Sequence, residues 1–117
     1  FKRIIATDNN AGALIATERN LASLKIEYEV IGDDAGESIK ENFDSIWSNP
    51  PFHSGFSLST TVLNKFLKSS KNLLKPSGKC LFVVNKFIPI EKLASNYFKT
   101  IEILNKNNSF KVVLLSA

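Results

Sequence analysis

Short apolar runs alternate with amphipathic segments along the 117-residue chain, and this alternation narrows the folds that the chain can adopt. Between the runs, apolar residues recur every three or four positions in residues 11–24 and again in residues 57–74, which predicts two helices. Strands that alternate with helices form parallel sheets covered on both faces. The pattern therefore predicts an α/β fold. The predicted strands are residues 4–6, 26–31, 43–47 and 80–84.

A hairpin is predicted near the C-terminus, where two further apolar runs lie close together. Residues 100–104 and 110–115 are separated by Asn105-Lys106-Asn107-Asn108, a cluster of turn-forming residues. A short helix over residues 89–97 precedes them, and Pro76-Ser77-Gly78 is expected to end the second of the two longer helices. The predicted sheet is thus mostly parallel, with an antiparallel C-terminal hairpin.

Length and composition are typical of one globular domain. Hydrophobic residues make up 44% of the chain, and no apolar run approaches the roughly 20 residues that cross a bilayer. The single cysteine, Cys80, excludes a disulfide within the chain and a cysteine-based zinc site, and it is typical of a reducing compartment. We therefore expect a cytoplasmic protein with no membrane partner and no metal site.

Charge is divided unevenly between the two halves of the chain. Residues 1–56 carry five basic and nine acidic residues, whereas residues 57–117 carry ten lysines and only Glu91 and Glu102 as acidic residues. A basic half indicates a polyanionic partner such as nucleic acid, because phosphate contacts supply much of the affinity in such complexes. Lysines along one helix face are also typical of a solvated surface, so both interpretations stay open.

Polar residues follow three of the predicted strands at the point where each strand ends. Asp8 and Asn9 follow the first strand, Asp33 and Asp34 the second, and Asn49 the third. Ligands of open parallel sheets bind beyond the carboxyl ends of the strands, where a carboxylate can accept hydrogen bonds from the ribose of a nucleotide-like cofactor. A second carboxylate could accept from an adenine amine. Alternatively, Asp8 only caps a helix and the later aspartates only form a turn.

The tetrapeptide Asn49-Pro50-Pro51-Phe52 suits the binding of a planar amine. Consecutive prolines remove two backbone donors and hold the chain extended, so the carbonyl groups between Asn49 and Pro51 are spared from ladder bonds. The Asn49 side chain adds an acceptor, and Phe52 adds a flat surface on which a nucleobase can stack. Two acceptors hold the amine hydrogens and favour the pyramidal, nucleophilic form of the nitrogen. The alternative is that the prolines only end a strand.

The longer segment FDSIWSNPPFHSG at residues 43–55 is similar to the catalytic motif of bacterial 16S ribosomal RNA guanine-N2 methyltransferases. Together with Asp8 and Asp34, it resembles the successive motifs of class I S-adenosylmethionine-dependent methyltransferases, whose sheet is Rossmann-like. The Asn-Pro-Pro-Phe motif alone is shared with adenine-N6 and protein glutamine-N5 methyltransferases, whereas the following His-Ser-Gly favours guanine N2. The likeness continues through residues 74–78, 84–89 and 110–112.

The resemblance implies that the cofactor is S-adenosylmethionine. Asp8, beside Asn9, is expected to bind the cofactor ribose. Asp34 is expected to contact the adenine, with Asp33 as its substitute if the register differs by one residue. Asn49 is expected to border the cofactor as well, because the amine and the methyl group must meet there.

The same resemblance implies that the substrate is a guanine in ribosomal RNA, presented either as RNA or in the assembled small ribosomal subunit. The catalytic motif is Asn49-Pro50-Pro51-Phe52, in which Asn49 and the Pro50 carbonyl are expected to orient the guanine amine. Positioning would supply most of the acceleration of an in-line methyl transfer, without a general base. His53 is expected either to shape the loop or to touch the RNA. The residues expected to contact substrate are Phe52, His53 and Lys86.

One feature of that family has no counterpart in the chain. The family's sheet begins with a strand that leads into a glycine-rich loop, and no such loop follows a strand here. We therefore expect residues 1–117 to be a partial methyltransferase catalytic domain, whose first and central strand belongs to a missing N-terminal segment of the same polypeptide. Without that strand the sheet would have a central gap with unpaired backbone groups. The alternative is a catalytically inert Rossmann-like module that binds RNA or a protein partner.

Overall fold

The computed structural model describes residues 3–8, 27–32, 39–51 and 56–117, and this part of the chain contains six strands and two helices. The chain divides into two units, Phe1–Ile39 and Lys40–Ala117. The elements in chain order are β1 (Arg3–Asp8), β2 (Glu27–Gly32), β3 (Phe43–Ser48), α1 (Phe56–Leu73), β4 (Leu74–Asn85), α2 (Ile90–Ala94), β5 (Thr100–Lys106) and β6 (Phe110–Ser116).

The first unit contains a parallel pair of strands, β1 and β2. Their register runs from Arg3 opposite Glu27 to Asp8 opposite Gly32, so the two strands end side by side. Both strands confirm predictions from the sequence. The helix predicted over residues 11–24 lies outside the described residues, and so do five predicted site residues: Asn9, Asp33, Asp34, Phe52 and His53.

The second unit is built on a four-stranded sheet in the order β3-β4-β6-β5. β3 runs parallel to β4, and β6 runs antiparallel to both β4 and β5. Three of the four strands therefore point in the same direction, and the last two strands form a hairpin. The mixed sheet confirms the predicted α/β architecture with its antiparallel C-terminal hairpin.

β3 forms one edge of this sheet, and its second edge pairs with no strand in the described part of the chain. β1 and β2 form a sheet of two, so the described strands do not join into one six-stranded sheet. An open strand edge leaves backbone N–H and C=O groups without ladder partners, and water or another segment must satisfy them.

The core of the second unit lies on one face of its sheet. Alternate residues of β4 and β6 are buried there, and the register sets Cys80 opposite Leu115 and Phe82 opposite Val113. α1 packs against this core through Leu67, because residues three and four positions apart share one face of a helix. The remaining buried core residues are Leu63, Leu74, Val84, Ile88, Ile90, Ala94 and Phe98.

β4 begins earlier than the sequence predicts, because Leu74 belongs to it rather than to α1. Residues 76–78, predicted to end the helix, form an irregular part of β4 in which one residue of β3 faces four of β4. At Gly78 a Cβ would lie 2.6 Å from Leu74 Cδ1 and 2.9 Å from the Asp44 carbonyl oxygen. The ladder can bulge here because glycine lets the two backbones approach.

α2 is shorter than the helix predicted over residues 89–97. It contains Ile90–Ala94, and two backbone hydrogen bonds after it, donated by the N–H groups of Asn96 and Tyr97, reach back three residues instead of four. This tighter turn places Phe98 in the core. No helix in the described part of the chain is both long and apolar enough to span a membrane.

The hairpin turn comes later than the asparagine-rich pattern predicts. β5 extends to Lys106, and the turn contains the three residues before Phe110. The Asn107 side-chain oxygen accepts hydrogen bonds from the backbone N–H groups of Ser109, at 2.7 Å, and Phe110, at 2.8 Å. This side chain closes the turn, so the two preceding polar residues remain in the strand.

Burial raises the pKa of the Cys80 thiol from 9.0 to about 12, an effect that the Lys71 ammonium partly opposes. Cys80 is completely buried in the core, so its thiol is protonated and unreactive in the folded chain. Unfolding exposes a thiol that ionises near pH 9. The unfolded state then binds fewer protons than the folded state, and stability falls as the pH rises above about 9.

We predict that Cys80→Ala removes this dependence on pH. In the wild-type chain, the thiol lowers the free energy of unfolding by about 1 kcal/mol for each pH unit between pH 9 and 11. Denaturant unfolding at several pH values measures how the free energy of unfolding changes with pH. The difference between the slopes of the two proteins isolates the contribution of the thiol. Equal slopes in both proteins would show that the thiol is not buried.

Candidate active site

The Asn-Pro-Pro segment lies at the carboxyl edge of the sheet in the second unit. β3 ends at Ser48, which pairs with Phe82, three residues before β4 ends at Asn85. Because β3, β4 and β5 point the same way, their carboxyl ends all lie along this edge. Asn49 and Lys86, both predicted site residues, follow two neighbouring strands there.

Asn49 presents a polar side chain that is open to a ligand. It is exposed, and no hydrogen bond within the described ranges occupies its amide. Pro50 is half-buried and Pro51 is exposed. Neither proline has a backbone N–H, so the ladder with β4 ends where the motif begins. The local sequence thus converts a strand end into a short segment with acceptors and few donors.

The loop after β4 is held by its own backbone and by the hairpin. The Asn85 side-chain oxygen accepts a hydrogen bond of 3.0 Å from the Phe87 N–H. The Lys86 N–H donates to the Ser109 carbonyl at 3.1 Å, and the side chain of Ile88 is buried. Lys86 therefore has a fixed backbone, and its Nζ lies 5.1 Å from the centre of the Phe87 ring.

Phe87 is a residue of this edge that the sequence pattern does not single out. It lies between the strand predicted over residues 80–84 and the helix predicted over residues 89–97, and its side chain is 75% exposed. The reason is the turn closed by Asn85, which places Ile88 rather than Phe87 in the core. Only the asparagine at the end of the strand, a residue that favours turns, gives a signal in the sequence.

An ion pair between a buried lysine and a half-exposed glutamate lies beside the same loop. Lys111 of β6 is 4% exposed, and its ammonium lies 2.5 Å from Oε1 of Glu91 in the first turn of α2. That oxygen is buried, and the Lys111 ammonium is the donor that lies against it. Lys111 also pairs with Val84, so the contact joins β6, the end of β4 and the start of α2. Its place on the core face of β6 buries Lys111.

Asp8, the residue predicted to bind ribose, ends β1 in the first unit. It lies opposite Gly32, and Asp33 is the next residue in the sequence. The two strand ends at which cofactor contacts are predicted are therefore neighbours. In the ranges that the structure describes, no three His, Cys, Asp or Glu side chains lie close enough to hold a metal ion. The roles of residues outside those ranges remain predictions: Asn9, Asp33, Asp34, Phe52 and His53.

We predict that Glu91→Gln lowers the free energy of unfolding by about 2 kcal/mol, because it leaves the Lys111 ammonium buried without a counter-charge. Asp44→Asn is the matched control. It breaks the pair between Asp44 and Lys75, which are 3.2 Å apart with side chains 85% and 48% exposed, and such pairs contribute less than about 1 kcal/mol. Urea denaturation measures both losses, and equal losses would contradict the buried pair.

Relatives of known identity match most of the chain. A model of the methyltransferase small domain family matches residues 2–114. The ribosomal RNA small subunit methyltransferase C of Actinobacillus succinogenes is 35% identical over 115 residues, which cover 98% of this chain and 34% of that protein. The protein of that name from Photorhabdus laumondii is 35% identical over 106 residues, 91% of this chain and 31% of its own. The chain thus spans about a third of the length of these relatives.

Solved methyltransferases share the fold. The T. thermophilus 16S rRNA N2 G1207 methyltransferase, solved in complex with AdoMet and guanosine, gives a TM-score of 0.83 at 21% identity over 97% of this chain and 31% of that one. A ribosomal protein L11 methylase from Lactobacillus delbrueckii gives 0.79 at 16% identity, over 99% of this chain and 59% of that one. The fold is therefore the Rossmann-like class I fold, which by itself selects no substrate. Because the family match extends over nearly its whole length, the chain belongs to the methyltransferase small domain family.

Proposed function

We propose that this protein transfers a methyl group from S-adenosylmethionine to the exocyclic N2 amine of a guanine in small-subunit ribosomal RNA. The observation that carries the proposal is the exposed Asn49 amide, which has no partner among the described residues and precedes two prolines at the carboxyl edge of the sheet. Relatives at 35% identity are named as methyltransferases of small-subunit ribosomal RNA. The T. thermophilus enzyme of the same fold was solved with AdoMet and guanosine.

Asn49 and the Pro50 carbonyl orient the guanine amine by accepting its two hydrogens. The lone pair of that nitrogen is delocalised into the ring, so the free amine is a poor nucleophile. Accepting both hydrogens favours a pyramidal nitrogen whose lone pair points out of the ring plane. Phe52 stacks on the base and fixes its plane, and His53 shapes the loop or touches the RNA. Positioning supplies most of the acceleration.

The cofactor contacts are assigned to the first unit. Asp8 ends β1 beside the end of β2, and carboxylates at such strand ends accept hydrogen bonds from ribose hydroxyls. Asp8 and Asn9 hold the ribose, and Asp34, or Asp33 in its place, contacts the adenine. S-adenosylmethionine, when bound, supplies a methyl group on a positively charged sulfur. The guanine nitrogen forms the new bond to carbon as the carbon–sulfur bond breaks, and it then releases a proton to water.

We predict that Asn49→Ala in the full gene product lowers kcat for methyl transfer to ribosomal RNA by about 100-fold, because the amine loses one of its two acceptors. Affinity for S-adenosylhomocysteine, measured by calorimetry, should change less than tenfold. Asp8→Ala is the complementary variant, and it should weaken S-adenosylhomocysteine binding by about tenfold or more. Wild-type affinity in Asp8→Ala would overturn the cofactor assignment, and wild-type kcat in Asn49→Ala the catalytic one.

The same assay distinguishes methylation of guanine in ribosomal RNA from methylation of adenine or of a protein glutamine, the other substrates of enzymes with this motif. Labelled methyl transfer is compared between naked small-subunit RNA, assembled small subunits and a protein that exposes a glutamine. Nucleoside analysis then distinguishes N2-methylguanine from N6-methyladenine. Methylated adenine or glutamine would replace the guanine proposal, and RNA binding without any transfer would favour an inert binding module.

We also propose that residues 1–117 are part of a methyltransferase catalytic domain, and that another segment of the same polypeptide supplies a strand to β3. The second edge of β3 pairs with no strand in the described ranges. Trp47 on this strand is 65% exposed, although the strands of parallel sheets in α/β proteins are buried on both faces. A further strand would satisfy the backbone groups of this edge.

We predict that amide exchange distinguishes the two states of this edge. In the 117-residue chain alone, alternate β3 amides lack a ladder partner and exchange at least 100-fold faster than the amides bonded to β4. In the full gene product, all β3 amides should be protected to a similar degree. β6, which lies between two strands, is the internal control and stays protected in both. Fast exchange of alternate β3 amides in the full gene product would contradict the added strand.

A further inference from the structure

Phe87 is the most exposed large hydrophobic side chain in the part of the chain that the structure describes. Its turn keeps it outside the core, because the Asn85 side-chain oxygen accepts the Phe87 N–H and the Asn85 carbonyl accepts the Ile88 N–H, each at 3.0 Å. Ile88 is buried, so turning Phe87 inward would remove an apolar side chain from the core. The turn and the burial of Ile88 therefore keep the Phe87 ring exposed to solvent.

A second aromatic ring and two lysines lie along the same edge of the sheet. Phe110 is 52% exposed and pairs with Asn85, directly beside the turn. Lys86 holds its Nζ 5.1 Å from the centre of the Phe87 ring, and the exposed Lys106 ends β5. Four strands spaced about 4.8 Å apart make this edge about 14 Å wide, from the end of β3 to the end of β5.

Among the described residues of the second unit, the charge along this edge is positive. Glu91 is the acidic residue that follows the loop, and its carboxylate contacts the buried Lys111 ammonium. The remaining acidic residue of this half of the chain, Glu102, lies within β5, four residues before the strand ends. Lys86 and Lys106 therefore carry charges that no acidic side chain offsets among the described residues of the edge. Aromatic rings between lysines suit single-stranded nucleic acid, whose bases stack while its phosphates meet cations.

We propose that Phe87, together with Lys86 and Phe110, forms a stacking surface for the unpaired RNA nucleotides that flank the target guanine. The inference rests on the proposed function, because the N2 amine of a paired guanine is engaged by its partner base. The target guanine must therefore leave its stack before it reaches Asn49. Its neighbour then loses a stacking partner, and the Phe87 ring replaces that partner. Lys86 binds the adjoining phosphate.

The test measures the affinity of the full gene product for a short single-stranded RNA and for an abasic RNA of equal length, by fluorescence anisotropy at fixed salt. Phe87→Ala should raise Kd for the single-stranded RNA about tenfold and leave Kd for the abasic RNA unchanged, because only the first has bases to stack. Phe87→Trp should keep the wild-type affinity. Lys86→Gln should weaken the binding of both RNAs, because each RNA carries phosphates. The matched control is Lys79→Gln, since Lys79 is exposed near the other end of the sheet, and it should weaken the binding of neither RNA.

Three results would overturn the proposed stacking surface. They are wild-type RNA affinity in Phe87→Ala, an equal loss of affinity for both RNAs in that variant, or a loss of RNA affinity in Phe87→Trp. Guanine methylation by the wild-type protein would leave the proposed function standing in each case. If the wild-type protein binds RNA through Phe87 and methylates no guanine, the proposed function fails instead. S-adenosylhomocysteine affinity, measured on every variant, reports whether the cofactor site is intact.

Discussion

The register between β4 and β6 is the constraint on which the second unit depends. Side chains alternate between the two faces of a strand, so a slip of one residue would turn the buried layer toward solvent. The observed pairing of Phe82 with Val113 sets both residues in the core, under α1. The same register sets Asn85 beside Phe110. The packing of the core and the layout of the carboxyl edge therefore have one cause.

Burial, as well as composition, decides which charged side chains are exposed at the carboxyl edge of the sheet. Lys111 comes from the lysine-rich half of the chain, yet its ammonium is buried against the Glu91 carboxylate. That contact lies beside the loop after β4, and it pairs the Glu91 carboxylate that follows the loop. Lys86 and Lys106 are left at the edge without an acidic neighbour among the described residues. Among the described residues, the charge that remains along this edge is positive.

Most elements could be predicted from the sequence, because period and turn chemistry are local properties. The strands, the long helix and the hairpin follow from apolar spacing and from Pro, Gly and Asn. The predicted boundary between the long helix and the next strand is wrong, because contacts across the sheet determine it. Leu74 fits the helical spacing but lies in β4, and residues 76–78 form an irregular ladder around Gly78 instead of a helix end. The environments of Phe87 and Lys111 are likewise set by tertiary structure, since a turn exposes Phe87 and a register position buries Lys111.

The sequence by itself determined which residue types stand at the strand ends of the candidate site. Consecutive prolines after Asn49 end a ladder wherever they stand, because they have no N–H to donate. The short strand β1 likewise ends at an aspartate, Asp8. Only the tertiary structure decided which strands are neighbours, because pairing brings together residues distant in the chain. It set Asn49, Lys86 and Phe87 along one edge and left the second edge of β3 unpaired among the described strands.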